Sequence, residues 1–558
     1  MNRVIKNLQH MRLIFLIAII FSVSINTSAQ RKKIPGEKPL LIVGIVVEQM
    51  RYDYINRFWN KFEKDGFKRL IGEGTFCKNT NLNYKFTQTA PGIASIYTGT
   101  TPSVHGIVAD DWYIRLNGKE KKAVYDKFYD AVGADTKDGR CSPRNLLTTS
   151  IGDELKIFDK KSKVFSVAMD ERSAVLSGGH TANGAFWWDE TSGNWISSTY
   201  YYDSLPKWVN DFNNKKLYEL YLSKKWETLL PLKEYTEADS DSTSYEYGIG
   251  ANRQSIFPYD LAKISNIEGK HKIYSLLKDV PYGNNFTKDF AINTIVSEEL
   301  GKDQHTDLIA VSFSVTENIG QKFGPKSVEI EDTYLRLDKE IAHFLKFIDS
   351  YVGKQNVLIF LTSNHGVADI PQNLKNMRIP AGKFNGLYSI ALLKSYLNAS
   401  YGEGEWIIAY TDQQIYLNHN LIDDSQLSLK EVQDRVARFM LQFDAVSNAI
   451  TAYQMMQTNF TKGIYHKMQN SFNRKRSGDV MITLKPGFIE DVPFASYSNS
   501  PYTYDTHVPL IWYGWKVKRK TIYRNIKITD IAPTISSLLN ISFTNGYRGE
   551  PIYEIIEK

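Results

Sequence analysis

Four short apolar runs stand out along the chain, at residues 40–47, 308–313, 357–361 and 508–513. Each is almost unbroken by polar residues and too short for a long buried helix. That is the pattern of strands buried on both faces of a parallel sheet. The first three are followed at once by polar residues and then by helix-like stretches. Between 327 and 350, Ile330, Tyr334, Leu337, Ile341, Phe344 and Ile348 recur every three or four positions and predict a helix. Residues 530–539 predict another, with Pro533 tolerated near its start. The fold class expected is α/β, a mostly parallel central sheet with helices on both faces.

Two longer segments break this rhythm. Residues 183–290 are rich in Trp, Tyr, Asn and Ser; residues 375–490 mix strand-like runs at 406–410 and 480–484 with a helical pattern at 429–443. Both are expected to be insertions that build a cap over the sheet. In open α/β sheets the ligand lies beyond the carboxyl ends of the strands. That rule points to Glu48, Glu317, Asn364 and His365, each just past a predicted strand. Trp187, Trp188, Trp195 and Trp208 of the cap would suit a sugar or nucleoside, although buried core is the commoner fate of such side chains.

The N-terminus carries a separate signal. Arg3, Lys6 and Arg12 precede nine unbroken apolar residues, 13–21, and small residues lead to an expected cut after Ala29. This order is that of a secretory signal peptide. An uncleaved anchor would need roughly 20 apolar residues, so no stable membrane insertion is expected. Residues 30–558 then form a single exported domain, periplasmic or secreted. The 558 residues are 42% hydrophobic and 23% charged, with a net charge of +7. Removing the leader leaves 65 basic against 61 acidic residues, +4, which is no nucleic-acid signature. Cys77 and Cys141 would meet an oxidising compartment, either paired or as two buried thiols.

Short motifs bring a family to mind. They include Val46-Val47-Glu48-Gln49-Met50-Arg51, Thr89-Ala90-Pro91-Gly92 with Tyr97-Thr98-Gly99, and His105-Gly106-Ile107 ahead of Asp111-Trp112. Glu171-Arg172-Ser173, Phe323-Gly324-Pro325 and Leu361-Thr362-Ser363-Asn364-His365-Gly366 follow, then His507-Val508-Pro509-Leu510 and Thr529-Asp530-Ile531-Ala532-Pro533-Thr534. In this order, from about residue 39 to 551, they resemble the PafA-type branch of the alkaline phosphatase superfamily, which is type I phosphodiesterase/nucleotide pyrophosphatase-like.

The resemblance implies a two-zinc phosphoric ester hydrolase, in which two metals clamp the attacking and leaving oxygens and a metal-bound threonine attacks phosphorus. The nucleophile position falls on Thr89. The first zinc's positions hold Glu317, Gln321 and His507; the second's hold Glu48, Asn364, His365 and Thr89. Only His365 and His507 match the family's ligands, and amide oxygens are poor zinc ligands. The family's phosphate-binding Asn, twenty-one residues past the nucleophile, is Asp110 here; its Lys, two before the retained Arg172, is Asp170. Ile93 replaces a family histidine, and His105 and His180 are expected to be structural. Two function classes follow. One is a binding or interaction protein that has lost two-zinc phosphomonoesterase activity. The other is a metal-dependent phosphoric ester hydrolase, mono- or diesterase, with Thr89 as nucleophile and an altered metal or substrate. In the second, Glu48, Asp110, Asp170 and Glu317 would converge on calcium or magnesium, and the ligand would be a small phosphate ester.

Overall fold

The computed structural model describes residues 36–268 and 273–557. The signal-peptide reading falls on residues outside that set. Eight strands carry the central sheet: β1 (Leu41–Val47), β2 (Thr75–Asn81), β3 (Val164–Ala168), β4 (Gly184–Asp189), β5 (Asn194–Ser198), β6 (Asp307–Phe313), β7 (Val357–Thr362) and β8 (His507–Gly514). Their order is β2-β8-β7-β1-β6-β3-β4-β5, with Lys520–Ile522 beyond β2 and Ala131–Val132 beyond β5. β7, β1, β6, β3 and β4 run parallel; β8 is antiparallel to both neighbours, and β5 to β4. The run at 508–513, expected to join the parallel set, is thus an antiparallel strand, because an unbroken apolar run reports burial on both faces and not direction.

Six helices matter for the site: α1 (Thr89–Thr98), α2 (Glu171–Gly178), α3 (Tyr282–Ser297), α4 (Val315–Phe323), α5 (Val328–Tyr351) and α6 (Ile531–Leu539). They cover opposite faces because the strand pleat alternates. Val43, Ile45 and Val47 pack with Phe286, Phe290, Ile341 and Phe344 of α3 and α5. Ile42 and Val46 pack with Ile93, Tyr97, Val175 and Ile535 of α1, α2 and α6. Gly44 is required in β1, since a Cβ there would sit 2.6 Å from both the Phe360 ring and the Tyr97 hydroxyl. The helix predicted at 327–350 is α5, capped by the Ser327 side chain, which accepts from Ile330 N–H.

The two irregular segments differ in kind. The 183–290 segment begins inside the sheet, for β4 and β5 are its first elements. Trp187, Trp188 and Trp195 are accordingly buried core, and Trp195 stacks on Phe290 at 4.3 Å. The 375–490 segment builds its own four-stranded sheet, ordered Ile407–Thr411, Gln414–Leu417, Val480–Leu484, Val446–Thr451. Helices Gly386–Tyr401 and Leu429–Met440 cover it, with Leu393, Trp406, Val432, Val436 and Ile482 in a separate core. Its first two strands join through Asp412–Gln413, both at positive φ (50° and 60°), a tight hairpin. Cys77 and Cys141 are both buried free thiols. No helix among the described residues is long and apolar enough to cross a membrane.

Candidate functional site

A cavity of about 380 Å³ opens at the carboxyl ends of the parallel strands. Glu48 leaves β1, Asp170 follows β3, Ser314 and Glu317 follow β6, and Asn364 and His365 follow β7. Thr89 is the first residue of α1. Each side chain therefore stands on a rigid element beside the sheet rather than on a long loop.

One corner is an ion-pair cluster. Asp110 accepts from Ala90 N–H in the first turn of α1 (2.7 Å) and, through its other oxygen, from Arg172. Asp170 caps α2, accepting from Arg172 N–H at 2.9 Å, and grips the same guanidinium through Nε (2.9 Å) and Nη2. Arg172 is thus held between two carboxylates, as a bidentate fork suits. Burial alone would raise the Asp170 carboxyl, but the charge and hydrogen bonds of Arg172 bring it down to about 2. For Asp110 burial outweighs Arg172 and pushes the carboxyl up to about 7.

The second corner gathers the positions expected to bind metal. Thr89 Oγ1 donates to Glu317 Oε2 (2.7 Å), and Gln321 Nε2 donates to Glu317 Oε1 (3.0 Å). Glu48 Oε1 accepts from Ser173 (2.6 Å) and Ser314 (2.8 Å). Burial, with Asp170 and Glu317 nearby, raises the Glu48 carboxyl well above the usual range. His365 Nδ1 donates to the Gly366 carbonyl at 2.7 Å, which leaves Nε2 as a bare lone pair. That nitrogen is buried without a partner, 3.7 Å from Glu317 Oε1. Burial lowers the His365 pKa, keeping the ring neutral.

Not every expected ligand is free to serve. The Asn364 oxygen accepts from the Gln49 and His365 amides (3.0 and 2.9 Å). Gln321 turns its NH2 end, not its oxygen, to the site. His507 is elsewhere: at the start of β8 its ring stacks on Tyr52 at 4.1 Å and Nε2 donates to the Lys78 carbonyl at 2.9 Å. Its assignment as a zinc ligand is corrected. The four-carboxylate calcium or magnesium site is also corrected, because Asp170 gives both oxygens to Arg172 and Asp110 gives one to Arg172 and the other to Ala90 N–H. Among the described residues no three His, Cys, Asp or Glu side chains group to hold a metal ion. His105 Nε2 pairs with Ser95 Oγ at 3.0 Å in the core, and His180 meets Asp153 at 3.2 Å.

Several lining residues carry no sequence motif. Glu190, Lys278, Asp412, Phe494 and Tyr497 join Asp111 in the wall. Asp412 arrives on the cap hairpin and accepts from Gln88 Nε2 at 2.6 Å, and burial pushes it up to about 6. Lys278 pairs with Glu190 at 2.7 Å. The two odd residues in the Asp412–Gln413 turn were the available signal; Lys278 and Glu190 lie in patternless stretches.

The chain matches the type I phosphodiesterase / nucleotide pyrophosphatase family over residues 42–491. It is 38% identical to alkaline phosphatase PafA of Elizabethkingia meningoseptica over 93% of this chain and 95% of that one. Identity to alkaline phosphatase PhoV of Synechococcus elongatus is 36%, over 97% and 98% of the two chains. The crystal structure of PafA superposes with a TM-score of 0.89 at 37% identity, covering 93% of this chain and 99% of that one. A solved PafA variant is substituted at a threonine, at an asparagine twenty-one positions later, and at a lysine and an arginine two positions apart. The same spacings join Thr89 to Asp110 and Asp170 to Arg172.

Proposed function

The chain belongs to the PafA-like alkaline phosphatases, phosphoric ester hydrolases of the type I phosphodiesterase / nucleotide pyrophosphatase family, and from that membership we propose that it has lost two-zinc phosphomonoesterase chemistry and acts as an exported binding protein. One observation carries this reading: the Asp110 carboxylate occupies the anion seat. A helix N-terminus and an arginine fork are what a phosphoryl group would need. Here one carboxylate oxygen takes the Ala90 N–H and the other takes Arg172, so a phosphate dianion meets a resident negative charge.

The donors do not fit a two-zinc centre. Zinc wants imidazole, thiolate or carboxylate. Of the expected set, the Asn364 oxygen is spent on backbone amides, Gln321 offers N–H, and His507 is remote. No step through zinc follows. Without a metal the Thr89 hydroxyl keeps its proton, which it donates to Glu317.

That same contact favours the second reading. A hydroxyl hydrogen-bonded to a carboxylate is a nucleophile beside a base, and a phosphodiester, with one charge fewer than a monoester, would be repelled less by Asp110. The two readings separate on turnover of aryl phosphate mono- and diesters by the purified mature protein, with and without zinc, calcium or magnesium. We expect no turnover that depends on Thr89. Hydrolysis abolished by Thr89→Ala, with two equivalents of zinc bound, would end the binding-protein reading.

A further inference from the structure

We propose that the cavity binds a small aliphatic di- or polyamine, its ammonium groups taken by Glu317 and Asp412 and its methylene chain by Phe494 and Tyr497. The inference rests on the reading that this cavity binds rather than hydrolyses.

Charge is the first argument. Arg172 is consumed by Asp110 and Asp170, and Lys278 by Glu190. Among the described residues, Asp111, Glu317 and Asp412 line the same cavity with no lysine or arginine in ion-pair distance. The chain as a whole is basic, +7, so this negative patch is local and not a reflection of overall composition. A buried unpaired charge is costly and calls for a counter-charge.

The second argument is independent of the carboxylates. His365 is fully buried, its Nε2 has no partner, and the lone pair stands 3.7 Å from Glu317 Oε1. The His365 lone pair lacks a donor, and Glu317 Oε1 beside it has only the neutral Gln321 amide. An ammonium brings three N–H donors and a charge, a donor for the imidazole and a counter-charge for the carboxylate.

The third argument selects an organic cation over a metal ion. Phe494 and Tyr497 lie parallel, 10 and 13 residues past the cap strand Val480–Leu484, with planes 5° apart and centroids at 6.5 Å. Aromatic faces beside carboxylates attract alkylammonium groups and cover methylenes. A hydrated divalent ion has no use for them. The geometry also offers a metal no group of three acidic, His or Cys donors among the described residues.

The test is calorimetric titration of the mature protein with spermidine and putrescine, alongside magnesium, calcium and zinc chlorides. Saturable spermidine binding is expected, weakened about tenfold to a hundredfold by Glu317→Gln or by Asp412→Asn, as for loss of one charge-assisted hydrogen bond. Glu403→Gln, an exposed acid elsewhere on the cap, should change nothing. Should Glu317→Gln not fold, Asp111→Asn and Phe494→Ala carry the same test. Absence of amine binding, equal binding by all variants, or a divalent ion that binds while spermidine does not, each overturns the proposal. Thr89-dependent ester turnover would instead end the underlying binding reading, whatever the amines do.

Discussion

Replacing Asp110 by Asn tests whether its carboxylate occupies the anion seat. Suppose inorganic phosphate enters beside Ala90 N–H and Arg172. Against an ionised Asp110 about 4 Å away, each of the two phosphate charges is repelled by about 4 kcal/mol at an effective dielectric of 20, about 8 kcal/mol in all. A cheaper route exists, because burial has already pushed Asp110 up to about 7. Protonating it at pH 9 spans about 2 pH units, or about 2.7 kcal/mol at about 1.4 kcal/mol per unit. Protonation therefore wins over repulsion, and the penalty grows with pH. Phosphate is a dianion throughout pH 8–9, so its own titration does not confuse the slope. The native protein should lose about tenfold in phosphate affinity between pH 8 and pH 9, with Asp110→Asn flat over the same interval. At pH 9 the variant should bind about a hundredfold tighter. Calorimetry or equilibrium dialysis with labelled phosphate reads both numbers. Equal affinities at pH 9, or the same pH slope in both proteins, would refute the assignment of the seat to Asp110.

Three other expectations follow from buried groups. Lys85 is fully buried with an unpartnered ammonium 4.0 Å from the Phe86 ring, and burial lowers it from 10.5 to about 7. A depressed lysine costs nothing above its unfolded pKa and its full penalty below the folded one. Lys85→Met should therefore stabilise by about 5 kcal/mol at pH 6 and by little at pH 10, from 3.5 units at about 1.4 kcal/mol each; equal urea-midpoint shifts at the two pH values would contradict this. Ser173→Ala removes one of two hydroxyl donors from buried Glu48 and should cost about 1–3 kcal/mol, seen as a lower Tm; an unchanged Tm would show that Ser314 suffices. Cys77 and Cys141 are free and buried, so Ellman's reagent should find no reactive thiol in the folded protein and two after unfolding.

The sheet's centre was legible because β1, β6 and β7 are apolar runs of six or seven residues, and burial on both faces leaves that mark. Direction left none, so β8 was read with the parallel set. The 183–290 segment reads as a cap in the sequence because Trp187 and Trp188 sit in β4 among Asn, Ser and Tyr, a composition that hides a strand of the central sheet. Position past a strand points to Glu48, Glu317 and His365, and the first two line the cavity. His507 lies outside that rule, since its motif marks the start of a strand, where the ring packs on Tyr52. Asp412 lies more than three hundred positions from Thr89, and only the cap hairpin brings it to the cavity.

Thr89 is the residue that most resembles surviving catalysis, yet its retention has a structural explanation. Glu317 is a buried carboxylate with two donors, Thr89 Oγ1 and Gln321 Nε2. Losing the first would leave one oxygen of a buried anion without a donor, a cost of about 1–3 kcal/mol or more. The substitutions around it also form a set. Where the family has a lysine and an asparagine, this chain has Asp170 and Asp110, a swing of three charge units beside one arginine. Arg172 absorbs part of that swing by pairing with both. Glu317, Asp111 and Asp412 add further carboxylates to the same lining, in a protein whose net charge is +7. Drift away from phosphatase activity would be expected to neutralise the pocket or fill it. This cavity instead remains open and lined by carboxylates, and a pocket so arranged holds cations.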